Sequence, residues 1–189
     1  MAKQLMEQID VYNAFPTPLV LVSCVDEAGN SNILTIAWAG VVASDPPMVS
    51  FSMRRGKLSY RMLKSTGEFV INVPTAGLVK EMDYCGTASG KNVDKWKESG
   101  LTPLPATKVK APLIAECPIS LECVVRHTLH LGTHDCFIAE IVASHVDPAI
   151  LKNGRINGQG VRPLVYFGRD YWALGDERLA DRGVGMPKP

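Results

Sequence analysis

The sequence predicts a mainly β protein, a closed or nearly closed antiparallel barrel with a few short helices. Three observations carry this. Seven or so segments have strand character. They do not alternate regularly with helices of adequate length, which argues against a Rossmann arrangement. Two long stretches late in the chain repeat their apolar residues with period two. A sandwich of two sheets is the alternative.

PLVLVSCV (18–25) is short, apolar and rich in valine, and DEAGN (26–30) supplies hairpin-turn residues. SNILTIAWAG (31–40) reads as the returning strand. Asp45-Pro46-Pro47 marks a loop, because proline cannot donate to a sheet ladder. MVSFSM (48–53) follows as a third strand. KLSYRMLKS (57–65) has helical spacing, with Leu58, Met62 and Leu63 on one side. EFVINV (68–73) is a strand that ends at Pro74. The stretch from 75 to 118 is irregular, with short helices at LVKEMDYC (78–85) and at NVDKWKESG (92–100), which closes at Gly100. In 119–131 the odd positions Ile119, Leu121, Cys123, Val125, Leu129 and Leu131 are apolar, while Ser120, Glu122, Arg126 and His130 lie between them. Phe137, Ala139, Ile141 and Ala143 alternate likewise in 135–143. Each stretch therefore predicts a strand with one buried face. LVYFG (164–168) and YWALG (171–175) predict a final hairpin or sharp bend.

A chain of 189 residues with no internal repeat and no long linker predicts one domain, with the terminal GVGMPKP as a loose tail. Lys plus Arg total 20 against 19 for Asp plus Glu, a net charge of +1. That balance argues against a general nucleic-acid binder. The longest apolar stretch, Ile33–Ala43, is too short to span a bilayer. The first ten residues have no signal-peptide core, so the expectation is a soluble, cytoplasmic protein. Five cysteines without a C-x-x-C predict reduced, mostly buried thiols.

Several motifs fail on spacing. In GTASGKN (86–92) only three residues separate Gly86 from Gly90, and Asn92 stands where a P-loop needs Ser or Thr. In NGRINGQG (153–160) the third glycine of a dinucleotide fingerprint is missing, and Pro163 stands in its place. Cys117, Cys123, His127, His130, His134 and Cys136 suggest a metal cluster. However, strand parity sends His130 to the face opposite Cys123 and His127, and no pair has zinc-site spacing, so no metal is expected.

Two segments are harder to dismiss. Residues 52–67 hold Arg54, Arg55, Lys57, Arg61 and Lys64 with no acid. The first three cations fall where a strand ends and a helix opens. Free backbone N–H groups and the helix dipole favour an anion there, and Ser52 and Ser59 add hydroxyl donors. A solvated basic face is the plain alternative. NILTIAWAG (32–40) sets Asn32, Thr35 and Trp38 among small apolar residues that would let a flat ligand approach the backbone. Trp38 as ordinary core is the alternative there.

Taken together, residues 16–73 resemble the flavin reductase-like family of FMN-binding split barrels. The match runs through PTPLVLVSCVDEAGNSNILTIAWAGVVASDPPMVSFSM, a basic turn and GEFVINVP. CGTASGKNVDKWKESGLT (85–102) and LGTHDCFIAEIV (131–142) are similar to the family too. The resemblance spans about residues 10–175. It implies an antiparallel Greek-key split barrel and a homodimer with one FMN per subunit near the dimer interface. It assigns the flavin ring to the strand residues Asn32, Leu34, Thr35, Ile36, Ala37 and Trp38, largely through backbone atoms. It assigns the phosphate to the turn carrying Ser52, Arg54, Arg55, Lys57 and Ser59, leaving open which cations hold it. It adds Lys95, Phe167 and His134 near the flavin, with His134 the candidate catalytic residue. The implied activity is an FMN-dependent oxidoreductase, taking electrons from NAD(P)H or a redox protein and passing them to a flavin, ferric or protein acceptor. A non-catalytic FMN electron carrier is the other reading, because no nicotinamide motif is present in either case.

Overall fold

The computed structural model of the chain describes residues 14–175 together with positions 4, 5, 7, 179 and 180. The terminal GVGMPKP expected as a tail lies outside them. No helix among the described residues is long and apolar enough to cross a membrane.

The strands are β1 (Thr17–Pro18), β2 (Val20–Val25), β3 (Ser31–Ile36), β4 (Ala39–Ser44) and β5 (Pro47–Arg54). After helix α1 (Leu58–Thr66) comes β6 (Glu68–Val73), then helices α2 (Val79–Thr87) and α3 (Lys95–Ser99). The short pair β7 (Pro103–Leu104) and β8 (Leu113–Ile114) precedes the long ribbon β9 (Ile119–Leu131) and β10 (His134–Val146). The small hairpin β11 (Leu151–Lys152) and β12 (Arg155–Ile156), helix α4 (Gly158–Val161), and the hairpin β13 (Leu164–Phe167) and β14 (Asp170–Ala173) complete the chain.

Seven strands form one antiparallel sheet in the order β3-β2-β6-β9-β10-β5-β4. β6 returns beside β2 and β10 lies beside β5, which are the long crossings of a Greek key. The sheet's two edges, β3 and β4, are consecutive in the chain. The expected single strand over 31–40 is therefore two strands. They part at a kink, residues 37–38, where the Ser52 N–H donates to the Trp38 carbonyl at 2.9 Å. This bond extends the β4–β5 register by one pair beyond Ala39 with Phe51, and among the described residues no strand pairing joins β3 to β5, so the barrel is split along that seam.

The barrel interior is built from alternate residues of its strands, including Val22, Leu34, Phe51, Phe69, Cys123 and Phe137. Phe51 meets Phe69 edge-on at 5.0 Å and Phe137 at 5.6 Å between ring centroids. Truncating such a ring costs about 3–5 kcal/mol. Helix α1 adds Met62 and Leu63 to the same core. It stops at Gly67, whose φ of 68° is the left-handed conformation that glycine adopts at least cost. All six residues of β2 are buried because both its faces are covered. Outside the barrel, α2 and α3 bring Met82, Cys85 and Trp96 onto Leu21 and Ile33. The stretch 106–113 brings Val109, Ala111 and Leu113 onto Val25 and Val70.

The period-two pattern of 119–131 does not run through. A bulge at Arg126 shifts the register, pairing Ile138 with His127 and Ala139 with Val125. Leu121, Cys123 and Val125 join the core as expected, but Leu129 and Leu131 are exposed. Past the bulge the even residues share the face of Phe137 and Asp135, and His130, itself exposed, reaches the buried Asp135 from the rim. A bulge swaps the faces of every later residue, which parity counted from one end cannot anticipate. The five cysteines are all free thiols, and four are buried.

Candidate flavin site

A cleft of about 200 Å³ opens along the seam between β3 and β5. One side is β3 and its continuation, with Asn32, Leu34, Thr35, Ile36, Ala37 and Trp38. The opposite side is the end of β5 and the start of α1, with Ser52, Arg54, Lys57 and Ser59. Lys95 and His134 also line it. These residues are scattered over the sequence and the fold brings them to one place. Three cations line the cleft and no carboxylate does, so its chemistry favours an anion.

The anion end is defined by α1. No side chain caps this helix, its first turn has no acid, and Lys57 is its N-cap residue. The first N–H groups of a helix have no partner within it, and the dipole there is positive. Helix α3 shows the contrast, since Asp94 accepts from Trp96 N at 3.0 Å and Lys97 N at 3.2 Å and satisfies its N-terminus. An uncapped start beside Arg54 and Lys57 is suited to a phosphate.

The β3 side is a firm wall. Thr35 donates its hydroxyl proton to the Met82 carbonyl. Asn32 Nδ2 donates to Ser59 Oγ at 2.8 Å, fixing β3 against α1. Lys95, only 5% exposed, donates from Nζ to the carbonyls of Ile33 at 3.0 Å and Cys85 at 2.6 Å. Burial pushes its pKa down from the ordinary lysine value. Two of its three N–H bonds thus secure the backbone beneath the cleft.

Residues that the sequence patterns did not single out complete the walls. Met53 and Leu58 line the cleft, as do Cys85, Gly86, Ala88, Ser89 and Gly90 from the end of α2 and the loop after it. A Cβ on Gly90 would come within 2.4 Å of Asn32 Oδ1, and one on Gly86 within 3.2 Å of Thr35 Cβ. The glycines of the failed P-loop motif therefore serve a close approach of this loop to β3. The available signal was their pairing with two site residues, which only three dimensions reveal.

His134 stacks obliquely on Trp38, with ring centroids 4.7 Å apart and planes at 46°. Its Nδ1 pairs with Thr133 Oγ1 at 2.8 Å. Burial, and then the Arg54 cation, hold its pKa below the ordinary 6.5, so the ring is neutral at pH 7.

Two expected contacts lie elsewhere. Arg55 does not line the cleft. Its Nε donates to Asp135 Oδ1 at 2.8 Å, because successive residues at a strand end point to opposite sides. Phe167 is exposed at the end of β13, in a separate three-stranded sheet, where it pairs with Asp170 and its carbonyl accepts from Trp172 Nε1 at 3.0 Å. The Cys/His run likewise disperses. Among the described residues no three His, Cys, Asp or Glu side chains converge as a metal would require.

Comparisons with known proteins agree with this geometry. A flavoredoxin structure from Desulfovibrio vulgaris (Miyazaki F) superposes with a TM-score of 0.89 at 35% identity, covering 99% of this chain and 100% of that one. A flavoredoxin from Methanosarcina acetivorans gives 0.86 at 28% identity, covering 98% of each. An uncharacterized protein of Archaeoglobus fulgidus is 31% identical over 165 residues, 86% of this chain and 92% of that protein. The family model described as "Flavin reductase like domain" matches residues 12–175. The chain therefore belongs to the flavin reductase-like family, and its fold is that family's split barrel.

Proposed function

We propose that the chain binds FMN in the seam cleft and passes electrons through it, from NAD(P)H or a protein donor to a flavin, ferric or protein acceptor. One observation carries the reading. A slot along the β3 backbone runs into an uncapped helix start flanked by Arg54 and Lys57, with no carboxylate in the lining. That combination suits a flat ring ending in a phosphate. The flavoredoxin structures are the relatives that fit this chemistry.

When bound, FMN supplies the redox chemistry, and the protein supplies position and electrostatics. Arg54, Lys57 and the first N–H groups of α1 hold the phosphate. β3 from Asn32 to Trp38 presents backbone atoms to the ring edge. Lys95 places a cation under the cleft, which favours negative charge gained on reduction. His134 and Trp38 cover apolar surface and exclude water. No side-chain nucleophile is required, in keeping with the neutral His134 and the absence of an acid in the lining.

The purified protein is expected to show flavin absorbance, with the released cofactor identified as FMN. Arg54→Ala and Lys57→Ala should each weaken FMN roughly ten- to hundredfold, from about 1.5–3 kcal/mol per charge-assisted contact, and leave riboflavin little changed. Equal weakening of both ligands sinks the phosphate assignment. Anaerobic mixing with NADH and NADPH separates a reductase, whose flavin bleaches at catalytic rates, from a carrier reduced only by a protein.

A homodimer belongs to the same proposal. Val41 is 79% exposed on the edge strand β4, and Val42, Leu129, Leu131, Phe167 and Trp172 also show apolar surface to solvent. A second copy of the chain is the occupant proposed for that surface. Sedimentation at twice the chain mass is expected, and sedimentation as a monomer at micromolar concentration overturns it.

A further inference from the structure

The two adjacent arginines, Arg54 and Arg55, diverge. Arg54 lines the cleft, whereas Arg55 turns to Asp135. Asp135 is completely buried at the start of β10. Its Oδ1 accepts from Arg55 Nε at 2.8 Å, and its Oδ2 accepts from Tyr60 Oη at 2.7 Å and pairs with His130 Nδ1 at 3.0 Å. Arg55 and Tyr60 stand immediately outside the stretch that carries Lys57, Leu58 and Ser59, and Arg54 directly precedes Arg55. One carboxylate therefore grips the β5–α1 segment at two points and brackets the residues at the anion end of the cleft.

We infer that Asp135 is a positioning residue for phosphate recognition, acting through Arg55 and Tyr60 to fix the turn that presents Arg54 and Lys57. This deepens the FMN reading and rests on it. Burial alone would raise the Asp135 pKa, but the bonds from Tyr60, His130 and Arg55 outweigh it and hold the group well below the usual carboxylate range. The anchor thus stays charged wherever the protein is folded near neutrality. The neighbours of Asp135 face the other way. His134, one residue earlier on β10, lines the cleft opposite Arg54, with which it pairs in register. The same strand end therefore supplies one side chain to the ligand and one to the anchor. Tyr60 is further fixed against Phe137 at 5.8 Å between ring centroids.

The alternative is that Arg55 itself swings to the phosphate, with Asp135 only its resting partner. The two cases predict opposite signs for Asp135→Asn. That change removes no cation. A released Arg55 that bound phosphate would leave FMN affinity equal or higher. A turn that has lost its anchor would bind FMN more weakly.

The test titrates the flavin-free full chain with FMN and with riboflavin, following flavin fluorescence, for wild type, Asp135→Asn and Tyr60→Phe. Tyr60→Phe deletes one bond and keeps both the ring and every cation, so it carries the test if Asp135→Asn fails to fold. Expected are a tenfold or greater loss of FMN affinity in Asp135→Asn and a two- to fivefold loss in Tyr60→Phe, with riboflavin within twofold of wild type in both. Equal losses for the two ligands, unchanged FMN affinity or tighter FMN binding overturns the positioning role. A wild type that does not prefer FMN to riboflavin overturns the FMN reading instead, and the positioning role with it.

Discussion

Asp135 and Glu122 are both fully buried carboxylates on the β9–β10 ribbon, and they lie at its opposite ends. Their donors differ in kind. Glu122 accepts from the backbone N–H groups of Thr107 at 2.8 Å, Lys108 at 2.6 Å and Val109 at 3.0 Å, and from the Thr107 hydroxyl at 2.7 Å. His145 Nε2 completes the set at 2.5 Å. Asp135 is held by side chains alone, Arg55, Tyr60 and His130. Backbone donors tie a carboxylate to the path of a loop, here one that lies on the outer face of β6 and far along the ribbon from the cleft. Side-chain donors tie it to the residues that carry them, here those flanking the anion end of the cleft. The same physical device thus supports the scaffold at one end and the site at the other.

The largest effect expected from this contrast is on stability at Glu122. Glu122→Gln leaves converging N–H groups without a charged acceptor and should cost about 3–5 kcal/mol, by analogy with breaking a buried pair. The melting temperature should fall by on the order of 10 °C. Burial pushes the Glu122 pKa up, but bonds from Thr107, His145 and Lys108 outweigh burial and lower it from 4.5 to about 2. A depressed carboxylate contributes stability that is complete above its unfolded value and is lost as pH falls through its folded value. Wild type and variant should therefore differ fully at pH 6 and converge between pH 4.5 and 2. Thermal melts across that range check this. The preference for FMN over riboflavin should stay unchanged in the folded variant, and a changed preference would merge the two ends of the ribbon into one function.

The same contrast separates what was legible in the sequence from what was not. Local signals were readable. Valine-rich β2, the α1 stripe of Leu58, Met62 and Leu63, and the basic strand-to-helix junction all lie where spacing puts them. Most of the residues that the family resemblance assigned line one cleft, although spacing alone did not group them. Relations between distant segments were not readable. The bulge at Arg126 inverts the parity of β9, exposing Leu129 and Leu131 and putting His130 beside Asp135. Asp135 shares the parity of Phe137 and Ala139, but nothing near it in sequence announces Arg55 as its partner 80 positions away. Gly86 and Gly90 fell within a family-like segment and a failed phosphate motif, but neither assigned them a role, because their purpose is steric and depends on Asn32 and Thr35. Phe167 was carried over from the resemblance, but its strand belongs to a separate sheet and it does not line the cleft of this chain.

The smallest structural effect is expected at His134, beside Asp135 but facing the cleft. Its ring touches Trp38 and Thr133 and carries none of the anchor's bonds. His134→Ala should therefore change the melting temperature by less than about 2 °C, as for a partly exposed side chain outside any buried network. FMN affinity should stay within about threefold. The redox readout should move instead. Burial and Arg54 keep the imidazole neutral down to below pH 6.5, so acidification adds a second cation beside Arg54 only under that pH. Extra positive charge near the ring favours the reduced, more negative flavin. Wild-type flavin should become easier to reduce as pH falls below that point, by more than in His134→Ala, where this step is missing. Spectroelectrochemical titration between pH 5 and 8 measures the difference. Parallel pH profiles would remove His134 from the redox chemistry, and a variant that fails to fold would move it to the same class as Asp135.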